Sequence, residues 1–259
     1  MLLSIVLATL SWATQSQLEC THLFPGAVAD ERRGEGIFVS PEGGVQAVDL
    51  KSGAKLWASK EADWPLEIVA GTLVAARLDR QANRTTIVTL SIEAGKLLTG
   101  SESAIPIPTW ATPLFTYDDG NQLQLDSSAK RGTVTIRWAA KGISAGGRQF
   151  NPLLNKQLQA HGRVQYDPSK GSLEPLSSDQ GADMDRFPTY SPVGAAADGQ
   201  TALWPPAQVG GLTIYIAEIK VSKVQLNPIY QAEARALTPS GTVLWKLNLG
   251  SRHPARLRA

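Results

Sequence analysis

The sequence predicts an all-β chain assembled from repeated antiparallel units, and three observations carry that prediction. Residues 44–57 alternate apolar and polar side chains, break at Ser52-Gly53, and alternate again into Trp57. Alternation with period two on both sides of a Ser-Gly break reads as strand, turn, strand. The same pattern recurs along the chain in imperfect copies, and recurrence at a fixed period is the mark of a repeat architecture. No segment carries a sustained helical apolar period with caps; only residues 17–33 and 153–161 admit a short helix.

Taken in order, the chain opens on an apolar run over residues 2–10, followed by Ser11-Trp12-Ala13 with small residues at the −3 and −1 positions. Residues 1–13 are therefore expected to be a signal peptide, which places the protein in the periplasm or outside the cell; no Lys or Arg precedes the run. The run is too short to span a bilayer, and no other stretch approaches ~18 uninterrupted apolar residues, so no transmembrane segment is expected. Cys20 is the only cysteine, which excludes an intrachain disulfide. A lipid anchor at Cys20 is not expected, because Gln17-Leu18-Glu19 precede it where small residues belong.

In the first repeat unit, Gly53 supplies the positive φ of a tight turn, and Asp49 stands at the strand end, where its carboxylate can accept turn amides. The second copy, residues 89–98, follows 42 residues later, glycine to glycine. Residues 166–173 keep the offset from Asp167 to Gly171. Residues 236–245 restore a tryptophan, Trp245, four residues after Gly241. Weaker copies are residues 130–138 and 197–204. The turn glycines then fall at 53, 95, 132, 171, 199 and 241, mostly near the ~40–45 residues of a four-stranded propeller blade. This predicts a β-propeller of four-stranded antiparallel blades over residues 22–250. The number of blades is about six, between about five and seven, with an incomplete ring as one form of it. Residues 68–76 and 211–219 read as strands from their β-branched content. Residues 83–85, 177–192 and 205–211 read as loops, and residues 251–259 as a basic C-terminal tail.

Residues 47–57 resemble the tryptophan-docking repeat of the pyrroloquinoline-quinone (PQQ) type β-propellers, whose pattern is Ala-x-Asp-x-x-Thr/Ser-Gly-x-x-x-Trp. Ala47, Asp49, Ser52, Gly53 and Trp57 match each fixed position. The last unit matches through Ala236, Ser240, Gly241 and Trp245, with Thr238 where Asp is expected. The second keeps Gly95 but has Thr89, Ser91 and Thr99 for Ala, Asp and Trp; the fourth keeps Asp167 and Gly171 but has Gln165 and Pro175. The resemblance implies that each tryptophan packs between neighbouring blades, so that Trp57 and Trp245 are structural. It also implies that PQQ is not bound: the quinone site of the dehydrogenases needs a disulfide between adjacent cysteines, and this chain has one cysteine.

Chemistry elsewhere in the sequence is sparse. His22, His161 and His253 have no spacing that suggests shared ligation, and neither a nucleophile elbow nor a phosphate-cradling loop occurs, so no catalytic and no cofactor-binding residue is assigned. Two acidic clusters, residues 117–121 and 179–185, follow no twelve-residue calcium loop. Asp179, Asp183 and Asp185 are nonetheless the candidate metal ligands, calcium being the cation suited to such oxygen-rich loops. A formal net charge of +2 gives no ground for nucleic-acid binding. The expected function, by resemblance, is an exported, non-catalytic binding or scaffolding module with a protein partner. The alternatives are a propeller enzyme or a sugar- or quinone-binding protein with an unrecognised central site, and a truncated propeller without independent activity.

Overall fold

A computed structural model describes residues 20–79, 82, 84–98, 100–108, 122–143, 157–176, 194–220 and 230–250. The described residues form four antiparallel sheets of four to six strands and contain no helix. Sheet one runs β1 (Thr21–Phe24), β2 (Ala27–Asp30), β3 (Glu35–Val39), β4 (Val45–Asp49) and β5 (Lys55–Ser59) in simple sequence order. Sheet two is β6 (Trp64–Val69), β7 (Thr72–Asp79), β8 (Arg84–Ser91) and β9 (Ser103–Ala104). Sheet three is β10 (Gln122–Lys130), β11 (Thr133–Ile143), β12 (Gln157–Asp167) and β13 (Ser172–Pro175). Sheet four comprises β14 (Gly194–Ala195), β15 (Thr201–Ala202), β16 (Ala207–Val209), β17 (Leu212–Lys220), β18 (Tyr230–Leu237) and β19 (Val243–Gly250). In it β15 and β16 both pair with β17.

The sheets pack face to face in the order four, one, two, three, and three apolar layers lie between them. Val28, Ile37, Val45 and Ala47 of sheet one meet Ile68, Leu73, Val88 and Leu90 of sheet two. The other face of sheet one, with Phe24, Phe38 and Val48, meets Ile214, Ile216, Ala234 and Trp245 of sheet four. The other face of sheet two, with Val74 and Ile87, meets Val134, Ile136, Trp138 and Tyr166 of sheet three. Sheets one and two are therefore covered on both faces, and β2 and β6 are buried along their whole length. Strand β11 alternates buried Val134 and Ile136 with more open Thr135 and exposed Arg137, as a strand covered on one face does.

Tryptophan docking joins the sheets at the outer edge. The Trp57 ring of β5 lies over the Gly95 turn of sheet two, and its Nε1–H donates to Ile92 O at 2.8 Å. The Trp245 ring of β19 lies over the Gly53 turn of sheet one and donates to Leu50 O at 2.6 Å. Each acceptor stands three residues before its turn glycine. A Cβ on Gly53 would fall 2.6 Å from Trp245 Cβ, and one on Gly95 would fall 2.5 Å from Trp57 Cε3. Both glycines also hold φ near +70° and +63°, so close approach and backbone conformation each demand glycine. Among the described residues no such ring joins sheets two and three. Tyr166 Oη donates to Ser101 O at 2.6 Å, and the Gly100 carbonyl lies where a Cβ on Gly171 would sit.

Several sequence expectations need correction. Residues 20–33 form β1, β2 and their turns instead of a helix, and residues 157–161 begin β12. Residues 68–76 are two strands: Ala70 and Gly71, both at positive φ, fold them into a two-residue hairpin. Arg84 and Thr85 belong to β8, where Thr85 is fully buried, and the expected loop over residues 205–211 contains β16. The described residues make four sheets where about six units were expected. Gly132 and Gly199 turn the inner hairpins β10–β11 and β14–β15 of sheets whose outer turns are Gly171 and Gly241. The signal peptide, the C-terminal tail and Asp179, Asp183 and Asp185 lie outside the described residues.

Trp245→Ala is expected to lower unfolding stability by about 3–5 kcal/mol, with a smaller loss for the half-buried Trp57→Ala. Gly53→Ala should also destabilise, because the methyl group would displace the indole. Urea unfolding followed by tryptophan fluorescence reads all three; an unchanged midpoint for Trp245→Ala would show that the ring does not hold sheets four and one together.

Candidate functional site

The inner strands of sheets one and two bring together the one constellation of metal-ligating groups found among the described residues: Cys20, His22 and Glu67. Cys20 immediately precedes β1 and His22 lies within it; in extended chain, residues two apart project to one side. Glu67 comes from β6, where Pro65 lacks the N–H that the ladder needs. The register with β7 slips between Pro65 and Glu67, and a bulge of this kind re-aims the side chains beside it.

Glu67 is almost completely buried, whereas the His22 side chain is about half exposed (4% and 47%). His22 Nε2 and Glu67 Oε2 are 3.1 Å apart, and the three donor atoms all lie within 4.8 Å of one another. The hydrogen bond to Glu67 holds the His22 imidazolium above its ordinary range, against the opposing effect of burial, and the charge of Asp126 on β10 adds to it. Burial first, then the charge and hydrogen bond of Glu67, push the Cys20 thiol far above its ordinary range. The trio offers sulfur, nitrogen and oxygen donors to one small volume.

A second polar cluster lies within sheet four. Asp198, in the β14–β15 turn, accepts from Tyr215 Oη at 2.6 Å and from an Arg235 guanidinium nitrogen at 2.7 Å. Arg235 also donates to Glu233 at 2.7 Å. Both Asp198 and Arg235 side chains are nearly buried, at 9% and 8% exposure. Burial acts to raise the Asp198 carboxyl, but the hydrogen bonds from Tyr215 and Arg235 outweigh it and hold the group below its ordinary range. The arrangement pins the turn onto the sheet.

The residues singled out in the sequence separate into distinct fates. Trp57 and Trp245 join sheets, Asp49 caps its turn by accepting Ser52 N–H at 2.7 Å, and His161 stands exposed on β12. Cys20 and His22 were read singly and converge here; Glu67 was not singled out. The available signal was Cys20-Thr21-His22, two ligand-type residues two positions apart on extended chain.

No protein-family model matches the chain and no curated protein does, so the PQQ-type resemblance rests on the repeat residues alone. Among solved structures, the computationally designed protein Ika8 aligns at a TM-score of 0.31 and 11% identity, over 85% of this chain and 47% of that one. A europium-containing methanol dehydrogenase aligns at 0.28 and 9%, over 85% and 61%. The WD40 domain of SCAP from fission yeast aligns at 0.22 and 10%, over 92% and 71%. The chain spans less than two thirds of the length of the first two.

Asp198→Ala removes one of two carboxylates paired with Arg235 at 2.7 Å and leaves Glu233 in place; it is expected to cost about 1–3 kcal/mol. Because folding lowers the Asp198 pKa, its contribution is present above the ordinary carboxylate value of 3.8 and is lost as pH falls through the folded value. Melting temperatures of wild type and Asp198→Ala should therefore converge on acidification below that value; curves that stay parallel would remove Asp198 from the acid response.

Proposed function

We propose that the chain is an exported, non-catalytic propeller-type module that binds or scaffolds another protein. The observation that carries this reading is where its exposed leucines stand. Among the described residues the large exposed apolar side chains are Leu56, Leu98 and Leu244. Each falls three residues after a repeat turn glycine: Gly53, Gly95 and Gly241. These units belong to sheets four, one and two, which adjoin, and Leu56 and Leu244 immediately precede the docked tryptophans.

Single exposed leucines are common on soluble proteins. A leucine at one repeat position on three adjoining sheets instead forms an apolar series around the outer rim. Strands β5 and β19 are outermost in their sheets, and an outermost strand offers unpaired N–H and C=O groups to an added strand. An extended apolar segment of a partner protein fits that rim. The repeat residues themselves are engaged in joining sheets, which supports reading them as architecture and not as a quinone site. The apolar run over residues 2–10, with Ala13 behind it, supports export.

Capture from a cell-envelope extract tests the reading. The protein carrying Leu56→Lys, Leu98→Lys and Leu244→Lys together should keep its far-ultraviolet circular dichroism and lose the partner that the unaltered protein retains; equal recovery by both would exclude the rim. Incubation with PQQ and calcium is expected to give neither quinone absorbance nor dye-linked alcohol oxidation, and the appearance of both would replace this reading with an enzymatic one.

A further inference from the structure

We infer that Cys20, His22 and Glu67 form a three-donor site for a thiophilic divalent cation of the Zn2+ type, with the fourth coordination position facing solvent. Three independent features converge on it. The donor set is the first. A cysteine sulfur, an imidazole nitrogen and a carboxylate oxygen are the ligand types of tetrahedral zinc, and sites with three protein ligands leave one position open for water or another ligand. The sulfur argues against calcium and magnesium, which take oxygen.

The second feature is distance. Zinc bonds of about 2.0–2.3 Å set at tetrahedral angles separate neighbouring donors by ~3.3–3.8 Å. The three donors already lie within 4.8 Å of one another, with His22 Nε2 and Glu67 Oε2 at 3.1 Å. The widest of these separations exceeds a zinc donor spacing by no more than ~1–1.5 Å. The third feature is access together with anchorage. Glu67 is held in a buried strand by the bulge after Pro65, while the half-exposed His22 leaves a route from solvent. An ion held there would bridge sheet one to sheet two at the inner strands, opposite the Trp57 joint at the outer edge.

The site has a direct spectroscopic signature. The full chain, kept reduced and freed of metal, is titrated with Co2+ and separately with Zn2+. Co2+ should produce a sulfur-to-metal charge-transfer band and the strong visible absorption of a tetrahedral centre, and Zn2+ should displace it and raise the melting temperature. Cys20→Ser should abolish the charge-transfer band, and Glu67→Gln and His22→Ala should each weaken binding at least ~10-fold. Circular dichroism of the metal-free variants checks that they fold. For any variant that does not, protection of the wild-type Cys20 thiol from alkylation by Zn2+ gives the same reading. No charge-transfer band, or binding and protection unchanged in the folded variants, would overturn the site.

Discussion

The fold depends on a flat indole ring lying on a turn that has no side chain. A β-sheet presents its pleated face readily to another sheet, but nothing in the pleat fixes how far one sheet rotates on the next. Here the rotation is set by Trp57 over Gly95 and by Trp245 over Gly53, each ring also donating to the carbonyl three residues before the glycine. The contact is apolar over the ring and directional at the N–H, so it supplies area and angle together. It works only where the turn approaches with neither a Cβ nor an unfavourable φ, which is why the glycine and the tryptophan recur as a pair although they act on different sheets.

That pairing explains how much of the fold could be read from the sequence. The hairpin containing Ala47, Asp49, Gly53 and Trp57 is legible because its alternation, its capping aspartate and its turn are all local. The number of sheets was not. A glycine at positive φ looks the same in an inner hairpin, such as Gly132, as in an outer one, such as Gly171, and only the ring or backbone packed on it tells them apart. Among the described residues the contact between sheets two and three is made by Tyr166 and by the Gly100 backbone against Gly171, and the repeat copy at Asp167 and Gly171 carries no tryptophan that would mark it as an outer turn. The β6–β7 hairpin was missed for a related reason: both strands are buried on both faces, so the apolar run passes through the turn with only Ala70-Gly71 to interrupt it.

The candidate site was half legible. Cys20 and His22 are neighbours in sequence, but their third member is 45 residues from His22, on a strand whose residues read as core. Glu67 is a buried carboxylate inside an apolar strand, and such a group needs a partner to be tolerated. That requirement was the sequence-level clue, and the partner could be named only once sheets one and two were packed face to face.

Pro65 ties these observations together. Because proline cannot donate to the ladder, β6 slips register there, and Leu66 is left without an opposite residue on β7. A buried carbonyl freed in this way has to find another donor, and Leu66 O accepts Ser127 Oγ from β10 at 2.6 Å. The next residue, Glu67, turns to His22 on β1. One bulge on an inner strand thus reaches both neighbouring sheets, on one side through its carbonyl and on the other through a side chain. Sheet two is then joined to each of its neighbours at two places, by ring or tyrosine contacts at the outer edge and by these polar contacts at the inner strands. Two separated points of attachment resist the rocking of one sheet on the next far better than either alone. Where no indole joins sheets two and three among the described residues, the inner contact through Ser127 accompanies the Tyr166 contact in the same way.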